Sequence, residues 1–192
     1  YRWHQYRDEI RTTLLNGTYQ LSPIQVCGNK KGHRLTRWTA KDVVVLKAIS
    51  MVISGSVQQQ VDHRCYHIKG NGGLKGAVNQ IHDHLGQYSF CVKSDIADFY
   101  ASMDHQVVMQ ECKKIIKDKR ILKIINQYLN RVEINHGSYD LITRGLAKGC
   151  SLSPIIGAIM LKSLDTIIPK GSAYARYMDD WLILTKTRGQ LR

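Results

Sequence analysis

The stretch AYARYMDDWLIL (173–184) places two adjacent aspartates, Asp179 and Asp180, between two short apolar runs. Short apolar runs on both sides of a polar pair predict two strands joined by a tight turn. Neighbouring carboxylates repel each other, and burial makes it more costly to ionise both. A solvent-exposed turn would tolerate the pair, and so would a bound divalent cation. The rest of the chain has to decide between these two explanations.

The composition is that of a folded and strongly basic domain. Apolar residues make up 43% of the 192 residues, and 28 Lys and Arg against 15 Asp and Glu give a formal net charge of +13. This excess favours a polyanionic partner, with nucleic acid preferred over an anionic membrane surface. The sequence shows neither an apolar stretch of roughly 20 residues nor a signal-peptide pattern. Tyr1 rather than Met begins the chain, which is compatible with a fragment of a longer protein.

The hydrophobic periodicity alternates between helical segments and strand pairs. The first half of the chain predicts a helix over 1–15, a basic hairpin over 27–35, a helix beginning at Thr39, and a glycine-rich loop over 68–78 leading to a helix that ends near Leu85. A buried strand at the start of 89–100 and helices over 105–118 and 121–129 follow. The last predicted elements are a hairpin around His136-Gly137, a helix from Ser153-Pro154 to about Ile168, and the hairpin of 173–184. This order predicts an α+β fold with an antiparallel sheet.

Two of the predicted helices begin with local signals. Thr39 followed by Asp42 resembles a capping box in which Asp replaces the usual Glu. The helix that follows would bury one face, made of Val45, Ala48, Ile49, Val52 and Ile53. Ser153 before Pro154 provides an N-cap and a proline at the first helical position. The cysteines are odd in number and lack a CxxC pair, so we expect packing residues rather than disulfides or a zinc site.

A third carboxylate, Asp95, follows the predicted strand that begins near residue 89. If this strand neighbours the hairpin that carries Asp179 and Asp180, the three carboxylates converge at one edge of a sheet. Hard oxygen ligands in such a cluster attract Mg²⁺, which relieves their mutual repulsion. Two such ions roughly 3.5–4 Å apart can clamp the attacking and leaving oxygens of phosphoryl transfer. An isolated Asp pair is more often a plain turn, so the hypothesis depends on further motifs.

Four stretches in a fixed order supply that further signal. YMDD (177–180) in a hydrophobic hairpin resembles motif C of reverse transcriptases, and SDIADFYASMDH (94–105) resembles their motif A in the bacterial group II intron and retron form. GLAKGCSLSPIIGAIML (145–161) resembles motif B, a glycine-rich turn followed by a helix. KKGHRL (30–35) and YHIKGNGGLKGAV (66–78) resemble the basic fingers region more loosely. The likeness covers roughly residues 26–188.

The resemblance implies a right-hand polymerase of the α+β class. Residues 1–88 would form the fingers with an N-terminal helix, and residues 89–192 would form a palm whose antiparallel sheet packs on helices. No thumb is expected within this chain, so a further region or a partner subunit would supply it. Asp95, Asp179 and Asp180 would be the catalytic metal ligands, joined by the backbone carbonyl of Ile96. The expected cofactor is a pair of Mg²⁺ ions, with Mn²⁺ as a substitute.

The resemblance also assigns the surroundings of the incoming nucleotide. The expected contacts are Arg34 and Lys69 in the fingers, Asp98, Phe99 and Tyr100 in motif A, and Lys148 and Gly149 in motif B, with Lys30 and Lys31 as looser candidates. Tyr100 would be the gate that excludes a ribose 2′-hydroxyl, although the neighbouring Phe99 is either an alternative or a core residue. Motif B departs from the common pattern, because Ala147-Lys148 stands where Pro-Gln is usual.

The function implied is RNA-directed DNA synthesis in a bacterial cytoplasm, with an RNA template, a DNA or RNA primer and deoxynucleoside triphosphates as partners and no membrane. Two alternatives remain open from the sequence. One is a template-independent or protein-primed polymerase of the abortive-infection type, which the altered motif B allows. The other is a non-catalytic RNA-binding or maturase-like module that keeps the palm as a scaffold.

Overall fold

The computed structural model describes residues 3–28 and 34–191, without the side chains of Arg34, Leu35 and Leu191. The helices are α1 (Trp3–Leu15), α2 (Ala40–Gln58), α3 (Gly73–His82), α4 (Phe99–Ser102), α5 (His105–Ile115), α6 (Lys119–Leu129), α7 (Ser153–Met160) and α8 (Lys162–Thr166), with short 3₁₀ turns at Leu85–Gln87 and Arg188–Leu191. The strands are β1 (Ile24–Gly28), β2 (Arg34–Arg37), β3 (Phe90–Ser94), β4 (Val132–Asn135), β5 (Ser138–Leu141), β6 (Ala173–Tyr177) and β7 (Asp180–Thr185).

The described strands form two sheets, which confirms the predicted α+β class. One sheet has the order β2-β1-β4-β5 and is mixed, because β1 and β4 run parallel while the outer pairs are antiparallel. The other has the order β3-β7-β6 and is antiparallel throughout. The motif A strand and the 173–184 hairpin are therefore neighbours in one sheet, which meets the condition set for the three carboxylates.

The chain divides into two compact units, each discontinuous in sequence. The first unit comprises 1–53 and 100–153 and contains the mixed sheet; the second comprises 54–99 and 154–192 and contains the antiparallel sheet. The division into fingers and palm at residue 88 rests on the resemblance and stays a prediction.

In the first unit, local signals position the start of α2. The Thr39 hydroxyl accepts the backbone N–H of Asp42 at 3.2 Å, as a capping residue does. Asp42 is buried and does not reach back to the Thr39 amide; its carboxylate accepts the hydroxyls of Thr39 and Tyr19 and the amide of Ser22. The carboxylate therefore ties the start of α2 to the segment before β1.

The predicted buried face of α2 is only partly right. Val45, Ile49 and Ile53 are buried, but Ala48 and Val52 are exposed. The other buried residues of α2 are Asp42, Leu46, Ser50 and Val57. Ala48 and Val52 line an apolar surface cavity of about 220 Å³, formed with residues of α1 and α6. The face is rotated because α2 packs on neighbours that its own periodicity cannot specify.

The hairpin predicted at His136-Gly137 is confirmed. Asn135 pairs with Ser138, so His136 and Gly137 are the two turn residues, with φ of 48° and 86°. Positive φ at both central residues is the requirement of the type I′ turn that matches the twist of a hairpin.

In the second unit, β3 differs from its prediction as a buried strand. It lies at the edge of the sheet, and Phe90, Cys91 and Lys93 are exposed. An apolar run predicts a strand but not its position in the sheet, and an edge strand has a neighbour on one side only. Cys27 is likewise exposed, whereas Cys65, Cys112 and Cys150 are buried as expected of packing residues.

The single helix predicted from Ser153 to about Ile168 is interrupted at Leu161, where α7 ends and α8 begins. The Ser153 hydroxyl does not cap α7 as predicted. It donates to the Ala147 carbonyl at 2.6 Å and bonds the Tyr128 hydroxyl at 2.9 Å. The helix begins at Ser153 itself, so the serine is its first helical residue rather than the residue before it, and its hydroxyl is directed to a loop carbonyl.

A buried ion pair lies at the centre of the second unit. Arg176 on β6 is 0% exposed and Asp165 on α8 is 2% exposed. The Arg176 Nε and Nη2 donate to the two Asp165 oxygens at 2.8 and 2.6 Å, and the Tyr174 hydroxyl donates to the same carboxylate at 2.7 Å. Bidentate geometry and complete hydrogen bonding are the conditions under which a charge pair can be buried.

We predict that Asp165→Asn destabilises the protein by about 3–5 kcal/mol, because it leaves the Arg176 charge buried without a counter-charge. The measurement is the free energy of unfolding from urea denaturation. The matched control is Asp8→Asn, which removes a carboxylate from an ion pair with Arg7 whose side chains are 56% and 64% exposed. The control should change stability little. Equal effects of the two substitutions would contradict a structural role for the buried pair.

Candidate active site

The strand register brings the three predicted catalytic aspartates to one edge of the antiparallel sheet. Ser94 pairs with Trp181 at the end of the β3–β7 ladder, so Asp95 follows directly opposite Asp180. Tyr177 pairs with Asp180 in the β6–β7 hairpin, which leaves Met178 and Asp179 as the two turn residues. Two separate chain segments thus deliver Asp95, Asp179 and Asp180 to the same end of neighbouring strands.

The turn that carries the aspartates has a strained backbone. Met178 has a φ of 58°, in the left-handed region that non-glycine residues seldom adopt. Two hydrogen bonds hold it in place: the Met178 N–H donates to His67 Nδ1 at 2.9 Å, and the Met178 carbonyl accepts Arg176 Nη1 at 3.0 Å. Hydrogen bonds from two side chains, one to the amide and one to the carbonyl of Met178, therefore offset the backbone strain.

The aspartates are accessible rather than buried. Asp95 and Asp180 are exposed and Asp179 is half-buried. Lys93 on β3 lies on the same face as Asp180, with its Nζ 3.9 Å from an Asp180 oxygen. Among the described residues, no three His, Cys, Asp or Glu side chains converge closely enough to hold a metal ion. Three carboxylates at one accessible edge nevertheless offer the hard oxygen donors that Mg²⁺ prefers, since this ion takes few protein carboxylates and completes its shell with water and substrate phosphates.

The rest of motif A forms a turn into α4. The Ile96 carbonyl accepts the Phe99 N–H at 3.2 Å, which leaves its second lone pair available to another partner. Asp98 has a φ of 50°, a second left-handed residue close to the aspartate edge. Phe99 is 8% exposed and offers little surface to a nucleotide, which favours the core role over the contact role.

In the first unit, backbone hydrogen bonds connect the segment around Tyr100 to the motif B loop. The Tyr100 carbonyl accepts the Leu146 N–H at 2.7 Å, and the Met103 carbonyl accepts the Gly145 N–H at 2.8 Å. Gly145 has a φ of 81°, and a Cβ there would lie 2.7 Å from the Ala101 carbonyl oxygen. Only glycine allows this approach, which explains the glycine that opens motif B.

Lys148 lies at a basic cleft of about 520 Å³ in the first unit. The cleft is also lined by Arg131, Arg144 and Glu133. The Lys148 carbonyl accepts the Thr36 hydroxyl at 3.1 Å, which holds the backbone while the residue remains exposed. Gly149 follows with a φ of 79° and has no atom within 4 Å of where a Cβ would lie, so its conformation rather than its surroundings favours glycine.

The fingers candidates are described only in part. Lys69 is exposed in the loop before α3. Arg34 begins β2, but its side chain lies outside the described residues, as do Lys30 and Lys31 entirely. The roles predicted for these four residues stay predictions.

Three residues that shape the site were missed from sequence. Arg176 and Asp165 carried a usable signal, since a charge inside an apolar strand must find a partner if it is buried. His67 carried none, because nothing in its neighbourhood in the chain indicates that it reaches a turn at residue 178.

The antiparallel sheet and its acidic edge have the arrangement that motifs A and C predicted. The family described as reverse transcriptase (RNA-dependent DNA polymerase) matches residues 29–192. The chain therefore belongs to the reverse transcriptase family, as the motifs predicted.

Curated relatives share low identity over most of this chain. The group II intron-encoded protein LtrA of Lactococcus lactis is 21% identical over 165 residues, which is 83% of this chain and 28% of that protein. The putative COX1/OXI3 intron 1 protein of Saccharomyces cerevisiae is 20% identical over 83% of this chain and 20% of its own length. Protein YkfC of Escherichia coli is 20% identical over 81% of this chain and 43% of its own. The chain thus spans less than half the length of these relatives.

Solved structures show the same fold. A chain of a partial Cas6-RT-Cas1–Cas2 complex aligns with a TM-score of 0.58 at 18% identity, covering 96% of this chain and 34% of its own. Apo telomerase from Candida tropicalis aligns with a TM-score of 0.55 at 15% identity, covering 78% of this chain and 35% of its own. Within the described residues, none of the helices is long and apolar enough to cross a membrane.

We predict that stability falls as the pH drops below 6.5, the ordinary pKa of histidine. Burial, with a smaller contribution from Arg176, lowers the pKa of His67, while the Pro154 carbonyl and Asp165 oppose this shift. Cys65 and Tyr177 also face the ring. Because the unfolded state takes up the proton more readily, the contribution of His67 is complete above pH 6.5 and is lost as the pH falls through the folded-state pKa.

The measurement is the urea midpoint of the protein at pH 7.5 and at stepwise lower values. His67→Asn, which does not titrate, is the control and should lose less stability over the same interval. An identical pH dependence of the two proteins would contradict the assignment to His67.

Proposed function

We propose that the protein is an RNA-directed DNA polymerase that transfers a nucleotide from a deoxynucleoside triphosphate to a primer 3′-hydroxyl on an RNA template. The observation that carries this proposal is the sheet edge where Asp95 lies opposite the Asp179-Asp180 turn. Membership of the reverse transcriptase family supports the reaction class. In the reaction, the primer 3′-oxygen forms a bond to the α-phosphorus, and the bond from this phosphorus to the pyrophosphate oxygen breaks.

Asp95, Asp179 and Asp180 would hold two Mg²⁺ ions, with Mn²⁺ as a substitute and the Ile96 carbonyl as a further ligand. When bound, the ions would offset the negative charge on the attacking, transferred and leaving oxygens. The exposure of Asp95 and Asp180 supports this role, because the ligands must be open to a primer and a triphosphate.

The net charge of +13 supports a nucleic-acid substrate, since such a chain attracts phosphate backbones. Lys148 and Arg144, exposed beside the cleft of the first unit, are proposed phosphate contacts, and Lys148 would take over where motif B relatives commonly carry glutamine. Asp98, Gly149, Lys69 and Arg34 stay proposed nucleotide contacts on the strength of the resemblance.

The test of the proposal is extension of a 5′-labelled DNA primer on an RNA template, with Mg²⁺ and the four deoxynucleoside triphosphates. Template-directed extension should occur and fall by about a hundredfold or more in Asp179→Asn, since a charged ligand of the reaction site is lost. Asp8→Asn on α1 should extend normally. Extension without template would instead favour the abortive-infection type, and RNA binding without extension would favour a non-catalytic module.

A second prediction concerns metal binding. Mg²⁺ should raise the melting temperature of the protein, because an ion that binds only the folded state stabilises it. Asp95→Asn should lose most of this gain, whereas Asp8→Asn should retain it. Differential scanning fluorimetry across a Mg²⁺ titration measures both. The same gain in Asp95→Asn as in the unaltered protein would count against a shared metal site.

A third prediction concerns the choice of sugar. Tyr100→Val should increase incorporation of ribonucleotides relative to deoxynucleotides, because removing the ring relieves a clash with the 2′-hydroxyl. A clash of ~2–3 kcal/mol corresponds to about a hundredfold in selectivity. The measurement is kcat/KM for each nucleotide in single-nucleotide extension. Unchanged selectivity in a folded, active Tyr100→Val protein would exclude the gate role and direct attention to Phe99.

A further inference from the structure

Given the proposed function, on which this inference rests for its catalytic consequence, we infer that His67 is a positioning residue for the aspartate turn. It lies in the segment before α3, far in sequence from the turn at Met178 and Asp179. Its ring connects this turn to the first residues of α7. The aspartate side chains would thereby keep a fixed orientation at the sheet edge.

The contacts of His67 are specific on both ring nitrogens. Nδ1 lies 2.9 Å from the Met178 backbone nitrogen, and Nε2 lies 3.0 Å from the Pro154 carbonyl oxygen. The ring also meets the Tyr177 ring edge-on at a centroid distance of 6.0 Å. His67 therefore touches the last residue of β6, the first turn residue and the start of the motif B helix.

These partners determine the tautomer of His67. A backbone N–H can only donate, so Nδ1 must accept and carries no hydrogen. A carbonyl oxygen can only accept, so Nε2 must carry the hydrogen. The Cys65 thiol, 3.5 Å from Nδ1, is compatible with this state because burial raises its pKa to about 12 and keeps it protonated. His67 is thus neutral and protonated at Nε2.

The hydrogen bond to His67 complements the one from Arg176. His67 binds the peptide that precedes Met178, and Arg176 binds the carbonyl that follows it. Together they restrain both backbone dihedrals of a residue whose φ is 58°. A strained residue keeps one conformation only when its surroundings over-determine it. The direction of the next residue, Asp179, follows from those dihedrals.

His67 is the better residue of the two for an experiment. Arg176 is fully buried in an ion pair, so its replacement would damage the core. His67 is half-buried, and its two hydrogen bonds can be removed separately. In His67→Asn the side-chain oxygen can replace Nδ1 as the acceptor for Met178. In His67→Gln the longer amide can replace Nε2 as the donor to Pro154, which leaves the Met178 N–H without its acceptor.

The experiment measures hydrogen exchange of the Met178 amide by NMR, together with kcat and KM for the deoxynucleotide in primer extension. In His67→Gln we expect exchange to be about tenfold faster and kcat to be about tenfold lower, the usual consequence of losing one hydrogen bond. The KM for the deoxynucleotide should stay within about threefold, because the variant keeps all three carboxylates and every proposed nucleotide contact. His67→Asn should restore both exchange and kcat toward those of the unaltered protein.

Equal Met178 exchange in all three proteins would overturn the inference, and so would equal losses of kcat in His67→Asn and His67→Gln. The ¹⁵N chemical shifts of His67 in the unaltered protein provide a test that needs no variant. Protonation at Nδ1 instead of Nε2 would overturn the inference, and protonation at Nε2 supports it. If Met178 exchange responds as expected but the unaltered protein extends no primer, His67 still holds the turn and the proposed polymerase function fails instead.

Discussion

The buried ion pair of Arg176 and Asp165 is the interaction on which the second unit depends. Removing two charges from water costs free energy that their mutual attraction offsets only when the surrounding donors and acceptors are hydrogen-bonded. Nearly every donor and acceptor around this pair is used. The Arg176 side chain bonds Asp165 and the Met178 carbonyl. Its backbone bonds the Arg64 carbonyl and the Tyr66 amide. One residue thus connects α8, the segment before α3 and the aspartate turn to a central position on β6.

This rigid interior contrasts with the open acidic edge beside it. Asp179 is only three residues along the chain from a fully buried arginine, yet its neighbours Asp180 and Asp95 are exposed. Three carboxylates at one edge cannot be buried together without counter-charges, and Lys93 is 3.9 Å from only one of them. Strain in the Met178 backbone and exposed like charges both cost free energy. Such features are typical of sites that bind a ligand.

In the first unit, hydrogen bonds to the backbone hold the motif B loop, while the Lys148 side chain stays exposed. The Gly145 carbonyl accepts Arg131 Nη1 and His105 Nε2, both at 2.9 Å, and its amide bonds Met103. Further along the loop, Tyr128 and Ser153 bind the Ala147 backbone. Lys148 follows directly and is exposed. The loop is therefore attached through the backbone of Gly145 and Ala147, while the Lys148 side chain stays exposed.

Local and paired features of the structure could be predicted from the sequence. The two hairpins and the start of α2 at Thr39 depend on periodicity and turn residues, which a short window of sequence contains. The shared edge of Asp95 with Asp179 and Asp180 was predicted from the order of the motifs along the chain. The side-chain partners could not be predicted. Asp42, Ser153 and His67 each bind a group distant in sequence or a competing neighbour, and the exposure of β3, Ala48 and Val52 depends on what packs beside them. The sequence by itself determined which residues form the aspartate edge, whereas only the tertiary structure decided what holds it, because hydrogen-bond partners and burial are set by contacts between segments far apart in the chain.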